Sequence, residues 1–311
     1  MITLEEAQGL LLKETKVNDI EEVNIFNSLG RVLAEDILSP IDSPPFNKSP
    51  LDGYAVIAKS LEGVSKENPR ILKVIDKVFA GEVSCKKVGD GEAIRIMTGA
   101  KIPKGADCIV KQEDTEALNE NEVRIFVSHK AYDNFIYQGE DFKRGIKIIN
   151  KDKFLASSII TAIASLGISK VKVYKKPIVG IITTGDELQE PGEELKEGKI
   201  FNSNKAFLYT RLLELGAEPR IFDIAKDSIE GIVSVVEKAE KECQIIISTG
   251  GVSVGEKDLV LRAVESIGYR RLFWKISMKP GSPMFSAVKN GVIYIGLSGT
   301  PVAAATTFEL T

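Results

Sequence analysis

Apolar and polar positions follow a different rhythm in the last third of the chain from the one in its middle. After Pro177 a continuous apolar run at 178–183 predicts a buried strand, and helical spacing over 204–215 predicts a helix. Strand patterns at 220–224 and 244–248 follow, separated by another predicted helix that opens with Asp227 and Glu230 in capping-box spacing. A helix at 259–267 closed by Gly268, a strand at 271–278, and a hairpin of 284–288 and 292–295 around Asn290-Gly291 complete the pattern. This alternation predicts a mostly parallel sheet covered by helices.

The middle reads otherwise. Short β-type runs at 54–57, 71–79, 92–97, 107–111 and 122–127 are separated by Gly, Pro, Asn or Asp, with no helical period between them. Ahead of them, Thr3 and Glu6 have capping-box spacing for a helix to about Lys13, and 22–26 reads as a short strand. Prolines at 40, 44, 45 and 50 then forbid a helix. Residues 154–166 predict a helix and 171–174 a strand. The expected fold class is multidomain, α/β plus β. A mostly parallel α/β sandwich domain occupies 175–311, an inserted all-β domain 51–144, and a small helical and β N-terminal lobe 1–50 with 145–174.

Composition narrows the function. At 311 residues with 43% hydrophobic content the chain can fill several cores, and a net charge of −3 argues against nucleic acid and anionic membranes as partners. Cys85, Cys108 and Cys243 form no Cys-x-x-Cys pair, and the first residues lack a signal-peptide pattern, so a cytoplasmic location is expected. His129 is the sole histidine, which leaves chemistry to carboxylates, lysines, hydroxyls and a bound metal.

Those residue types collect where predicted strands end. The runs ending Thr184-Gly-Asp-Glu187, Ser248-Thr-Gly-Gly-Val-Ser-Val-Gly-Glu-Lys-Asp258 and Ser298-Gly-Thr-Pro301 each leave the sheet through glycine and hydroxyl residues. In open α/β sheets such loops share one crevice, and their free N–H groups suit an anion. Neither a P-loop nor a dinucleotide fingerprint is spelled here. Asp186, Glu187, Glu256 and Asp258 would crowd one edge unless a cation intervenes, and Mg²⁺ takes such carboxylates together with substrate phosphates. Alternation along 271–278 would align Lys275, Ser277 and Lys279 on one face as an oxyanion clamp.

An ordered set of motifs then carries a family resemblance. Lys48-Ser-Pro-Leu-Asp-Gly-Tyr-Ala55, Met97-Thr-Gly-Ala-Lys-Ile-Pro-Lys-Gly-Ala-Asp107, Gly139-Glu-Asp141, Thr184-Gly-Asp-Glu-Leu188, Ser203-Asn204, the 250–258 loop and Met278-Lys-Pro-Gly281 span nearly the whole chain. In these the sequence resembles molybdopterin molybdenumtransferases, the MoeA type also found as the E domain of gephyrin. The resemblance implies Mg²⁺-dependent insertion of molybdenum from molybdate into adenylylated molybdopterin with release of AMP. It implies a homodimer whose site joins the α/β domain of one subunit to the Asp52 region of the other, and the preceding adenylyltransferase of the pathway as a further partner. It also implies a small C-terminal β domain, which is not expected within residues 1–311.

Carried onto this chain, the resemblance gives Asp52, Glu187, Asp227 and Asp258 as catalytic acids, with Lys275 and Lys279 on molybdate or phosphate. Thr98, Thr184, Gly185, Ser248, Gly250, Gly251, Ser253, Ser298 and Gly299 bind the pterin substrate, and Asp186, Glu187 and Asp258 hold the metal. Asp227 has a second reading as a helix cap, and Asp141 one at the interface. Ile136-Tyr-Gln138 stands where the family has arginines, and Ser298-Gly-Thr-Pro301 replaces its Pro-Gly-Asn-Pro turn. A noncatalytic molybdopterin-binding scaffold, a tungstate-inserting homologue and the pathway's adenylylating enzyme are the alternatives.

Overall fold

The structure is a computed structural model that describes residues 1–225, 227–252 and 259–311. The protein is multidomain and mixes α and β structure. It divides into two compact units, one formed by 1–23, 27–34 and 172–311, the other by 24–26 and 35–171. These boundaries differ from the N-terminal lobe expected from sequence, because the first helix belongs with the α/β unit. Its buried Ala7 and Leu11 join a core with Leu208, Leu212 and Phe273.

The α/β unit is built on a six-stranded sheet. Its elements are α1 (Leu4–Glu14), β1 (Ile178–Thr183), α2 (Ser203–Glu214), β2 (Glu218–Ile221), α3 (Ile229–Ala239), β3 (Ile245–Thr249), α4 (Leu259–Ser266), β4 (Arg270–Trp274), β5 (Phe285–Lys289), β6 (Val292–Leu297) and α5 (Pro301–Leu310). The strand order is β2-β1-β3-β6-β5-β4. The pairs β1–β2, β1–β3 and β3–β6 are parallel, whereas β5 is antiparallel to both β6 and β4. Helices α3 and α4 cover one face through Ile232, Val236, Val260 and Val264, while α1, α2 and α5 cover the other. Burial on both faces explains why β1 and β3 read as unbroken apolar runs.

Local signals account for several element ends. Thr3 accepts the Glu6 N–H and Glu6 reaches back to the Thr3 N–H, closing the capping box at the start of α1. Asn290 and Gly291 adopt φ of 53° and 86°, the left-handed pair that a two-residue hairpin needs between β5 and β6. Pro301 opens α5 at a position where its missing N–H costs no hydrogen bond.

The second unit contains a six-stranded sheet in the order Cys108–Lys111, Gly53–Val56, Glu92–Ile96, Arg70–Val78, Glu122–Ile125, Thr115–Asn119. The strand Thr115–Asn119 was not expected. It lies on the sheet edge with mostly exposed side chains, so it carries no apolar alternation. A helix, Ser157–Ser165, also belongs to this unit. The Nδ1 of His129 lies 3.2 Å from the Asp133 carboxylate.

Candidate active site at the carboxyl edge of the sheet

Strand order decides which loops meet. From β1 the chain passes through α2 to β2 on one side, then crosses through α3 to β3 on the other, so the order reverses about β1. Ligands of open α/β sheets bind at such a switch point, beyond the carboxyl ends of the strands. The tips of β1, β3 and β6 are neighbours there. Strands spaced about 5 Å apart bring the three tips within roughly 10 Å.

Backbone and side-chain bonds knit these tips together. The Thr184 N–H donates to the Thr249 carbonyl at 3.0 Å, the Gly250 N–H to Leu297 at 3.2 Å, and the Ala225 N–H to Thr183 at 2.9 Å. Gly250 has φ of +95°, and a Cβ there would collide with the Thr184 carbonyl, so only glycine lets the two loops come this close. Gly299 lies beside Gly250, and its carbonyl accepts the Asn204 side-chain amide at 2.8 Å. Thr184, Gly185, Gly250, Gly251, Ser298 and Gly299 thus occupy one strip of the sheet edge.

Asp227 joins that strip from the loop after β2. It accepts the Thr184 hydroxyl at 2.5 Å. The helix cap expected of it is supplied by its neighbour, because Ser228 takes the Gly231 N–H at 3.0 Å at the start of α3. The carboxylate is therefore committed to the site loop. Asp186 and Glu187 are exposed at the turn after β1, with the Glu187 carboxylate folded back over Gly185. Neither makes an ion pair among the described residues. Ser253, Glu256 and Asp258 lie outside the described residues. Among the described residues no three His, Cys, Asp or Glu groups gather closely enough to hold a metal.

Ser248 departs from the expected cradle. Its side chain is fully buried and its hydroxyl turns toward the Tyr294 phenol without closing a well-formed hydrogen bond. Burial pushes that phenol's pKa upward. Asn202 and Asn204, to which the sequence reading gave no role, fix Thr183 and Gly299 at 2.9 Å and 2.8 Å. Their signal was the pair of amides at the start of α2, where one caps and the other faces the sheet edge.

The lysines follow β4. Because β4 opposes β5 and β5 opposes β6, β4 runs with β6 and its carboxyl end lies on the same edge. The strand ends at Trp274, sooner than the alternation predicted, because Lys275 enters the left-handed region at φ 65°. Its ammonium rests 4.1 Å from the centre of the Trp274 ring. Alternation therefore does not align Lys275 with Lys279. Instead Lys279, with Ser277 and Ser282, lines a cavity of about 580 Å³.

Asp52 and Thr98 form a separate group in the other unit. The Thr98 N–H and hydroxyl both donate to Asp52 Oδ1 at 2.7 Å. Those donors, the backbone one first, hold the Asp52 carboxyl below its ordinary pKa.

Comparison with known proteins accounts for both halves of the chain. The family described as "MoeA N-terminal region (domain I and II)" matches residues 2–167, and "Probable molybdopterin binding domain" matches residues 180–311. The chain is similar to the molybdopterin molybdenumtransferase of Staphylococcus epidermidis, with 40% identity over 310 residues, 99% of this chain and 74% of that protein. The protein of the same name from Bacillus subtilis is 39% identical over 313 residues, 99% of this chain and 73% of its own length. Two crystal structures of the molybdopterin biosynthesis MoeA protein from Pyrococcus horikoshii superpose with TM-scores of 0.87 and 0.84 at 36% and 34% identity. They cover 100% of this chain, which spans 78% and 77% of theirs. With both halves matched in order and a similar fold throughout, the chain belongs to the MoeA family of molybdopterin molybdenumtransferases.

Proposed function

We propose that this protein inserts molybdenum from molybdate into adenylylated molybdopterin and releases AMP, acting as a Mg²⁺-dependent homodimer in the cytoplasm. The observation that carries the reading is the convergence of the Thr184, Gly250 and Gly299 loops on one sheet edge, with Asp227 bonded to Thr184. Relatives named molybdopterin molybdenumtransferase at 40% and 39% identity support the same reaction.

In this proposal the backbone N–H of Gly251 and the Ser298 hydroxyl hold the pyrophosphate, with Ser253 extending the cradle and the Gly250 N–H, bonded to Leu297, fixing the loop. Asp227, by accepting the Thr184 hydroxyl, holds the loop after β1 in place beside the phosphate chain. Asp186, Glu187 and Asp258 would hold Mg²⁺, and the donor set suits it. Mg²⁺ takes one or two carboxylates and completes its shell with water and phosphate oxygens, so a dense acid cluster is unnecessary. When bound, the ion would neutralise charge on the phosphates. Lys275 and Lys279 bind molybdate as the oxyanion substrate, roughly two strand spacings, or 10 Å, along the edge from the tip of β6. A long substrate, pterin at one end and nucleotide at the other, suits that separation. Asp52 of the partner subunit, held by its own Thr98, completes the site.

The test is a defined insertion assay with adenylylated molybdopterin, Mg²⁺ and either molybdate or tungstate. The metal-loaded cofactor and AMP are read by mass spectrometry. Equal amounts of both products are expected with at least one oxyanion. Absence of both products with either oxyanion would leave the noncatalytic binding protein as the better reading.

A further inference from the structure

We infer that residues 1–3 are a positioning segment of the oxyanion site, holding the 275–279 loop in the shape that brings its lysines to the ligand. The inference rests on the assignment of Lys275 and Lys279 to molybdate above.

Lys275 adopts φ of 65°, a conformation that residues with a Cβ avoid, so its surroundings must impose it. Its own N–H donates to the Met284 carbonyl at 2.7 Å. Two further restraints come from the start of the chain. The Ile2 N–H donates to the Lys275 carbonyl at 3.2 Å, and the Ser277 N–H donates to the Ile2 carbonyl at 2.8 Å. Ile2 and Ile276 thereby form a parallel bridge, a one-residue extension of the sheet beyond the end of β4.

This strap is anchored at its far end. Thr3, the next residue, is the N-cap of α1 with a complete capping box, and Ala7 and Leu11 bury that helix in the core. Ile276 is fully buried. Past it, Met1 lines the cavity together with Ser277, Lys279 and Ser282. Gly281 closes the loop against α5, where a Cβ would meet the Thr307 hydroxyl and the Met278 methyl. Lys275 and Lys279 thus leave a loop pinned at Met284, at α5 and at Ile2. Only the Ile2 pin comes from outside the last third of the chain.

Trp274 is the sole tryptophan, so its emission reports directly on the loop that follows it. Molybdate is titrated against wild type, Ile2→Pro, Ile2→Ala and Lys279→Ala, with Trp274 emission followed, and KM is measured for both substrates. Ile2→Pro removes the donated N–H, whereas Ile2→Ala keeps both backbone bonds. The expected result is a loss of molybdate affinity of about tenfold in Ile2→Pro and within about twofold in Ile2→Ala. KM for adenylylated molybdopterin is expected to stay within about twofold in both variants. Molybdate affinity in Ile2→Pro equal to wild type would overturn the inference while leaving the clamp intact. An unchanged titration in Lys279→Ala would overturn the clamp, and the inference with it. Should Ile2→Pro fail to fold, Thr3→Ala, which frees the strap at its anchor, carries the test. A molybdate affinity weakened about threefold is expected, and wild-type affinity overturns the inference.

Discussion

Asp227 accepts the Thr184 hydroxyl at 2.5 Å across 43 residues of sequence, while Ser228 beside it caps α3. The cap that the sequence offered to Asp227 belongs to Ser228, which leaves the carboxylate at the strand tips. Asp227→Asn keeps an acceptor for Thr184 and removes only the charge. Thermal unfolding is expected to match wild type, while kcat for insertion falls by about a hundredfold. Wild-type kcat would remove Asp227 from the chemistry.

The close approach of Gly250 to Thr184 gives a stability prediction. Gly250→Ala combines a Cβ clash with the Thr184 carbonyl and φ of +95°, and should cost about 3 kcal/mol. Gly192 has a similar φ of +99° but open space around it, and Gly192→Ala should cost about 1 kcal/mol. Urea unfolding separates the two. Equal losses would mean that packing of the loops contributes nothing.

Much of this geometry was legible in the sequence where a local rule decides it. The Thr3 and Glu6 capping box, the Asn290-Gly291 turn and the unbroken apolar runs of β1 and β3 each rest on residues adjacent in the chain. What escaped depends on distant partners. The alternation of 271–278 failed at Lys275 because Ile2 and Met284 hold that residue in a left-handed turn. The resemblance placed Ser248 in the cradle, but its side chain is fully buried in the core. That the loops of Thr184, Gly250 and Gly299 are neighbours follows from strand order, which periodicity does not encode.

Thr98 supplies a pH prediction in the second unit. Its two donors keep the Asp52 carboxyl below the ordinary value of 3.8. A depressed carboxylate stays ionised as pH falls through 3.8, and its contribution is lost only at the lower, folded value. Thr98→Val retains the N–H and removes the hydroxyl, so the Asp52 titration should move up toward 3.8. Carboxyl-carbon NMR reads it directly. A titration unmoved by the substitution would show that the hydroxyl bond is idle.

The cysteines provide a check on packing. Cys85 is exposed, whereas Cys108 and Cys243 are buried. Burial, helped by the neighbouring Asp107, pushes the Cys108 thiol up to about 12. Burial and Glu242 push Cys243 to about 11. A disulfide reagent near neutral pH should modify one thiol per native chain quickly and the others only after unfolding. Fast reaction of a second thiol would contradict the buried placement.

The most direct test of the central claim is a crystal structure with AMP and Mg²⁺. The account predicts the phosphate at the tips of β1, β3 and β6, within hydrogen-bonding distance of the Gly251 N–H, with the metal on Asp186 or Glu187. A nucleotide bound elsewhere on the protein, with the Gly251 N–H left to solvent, would contradict it.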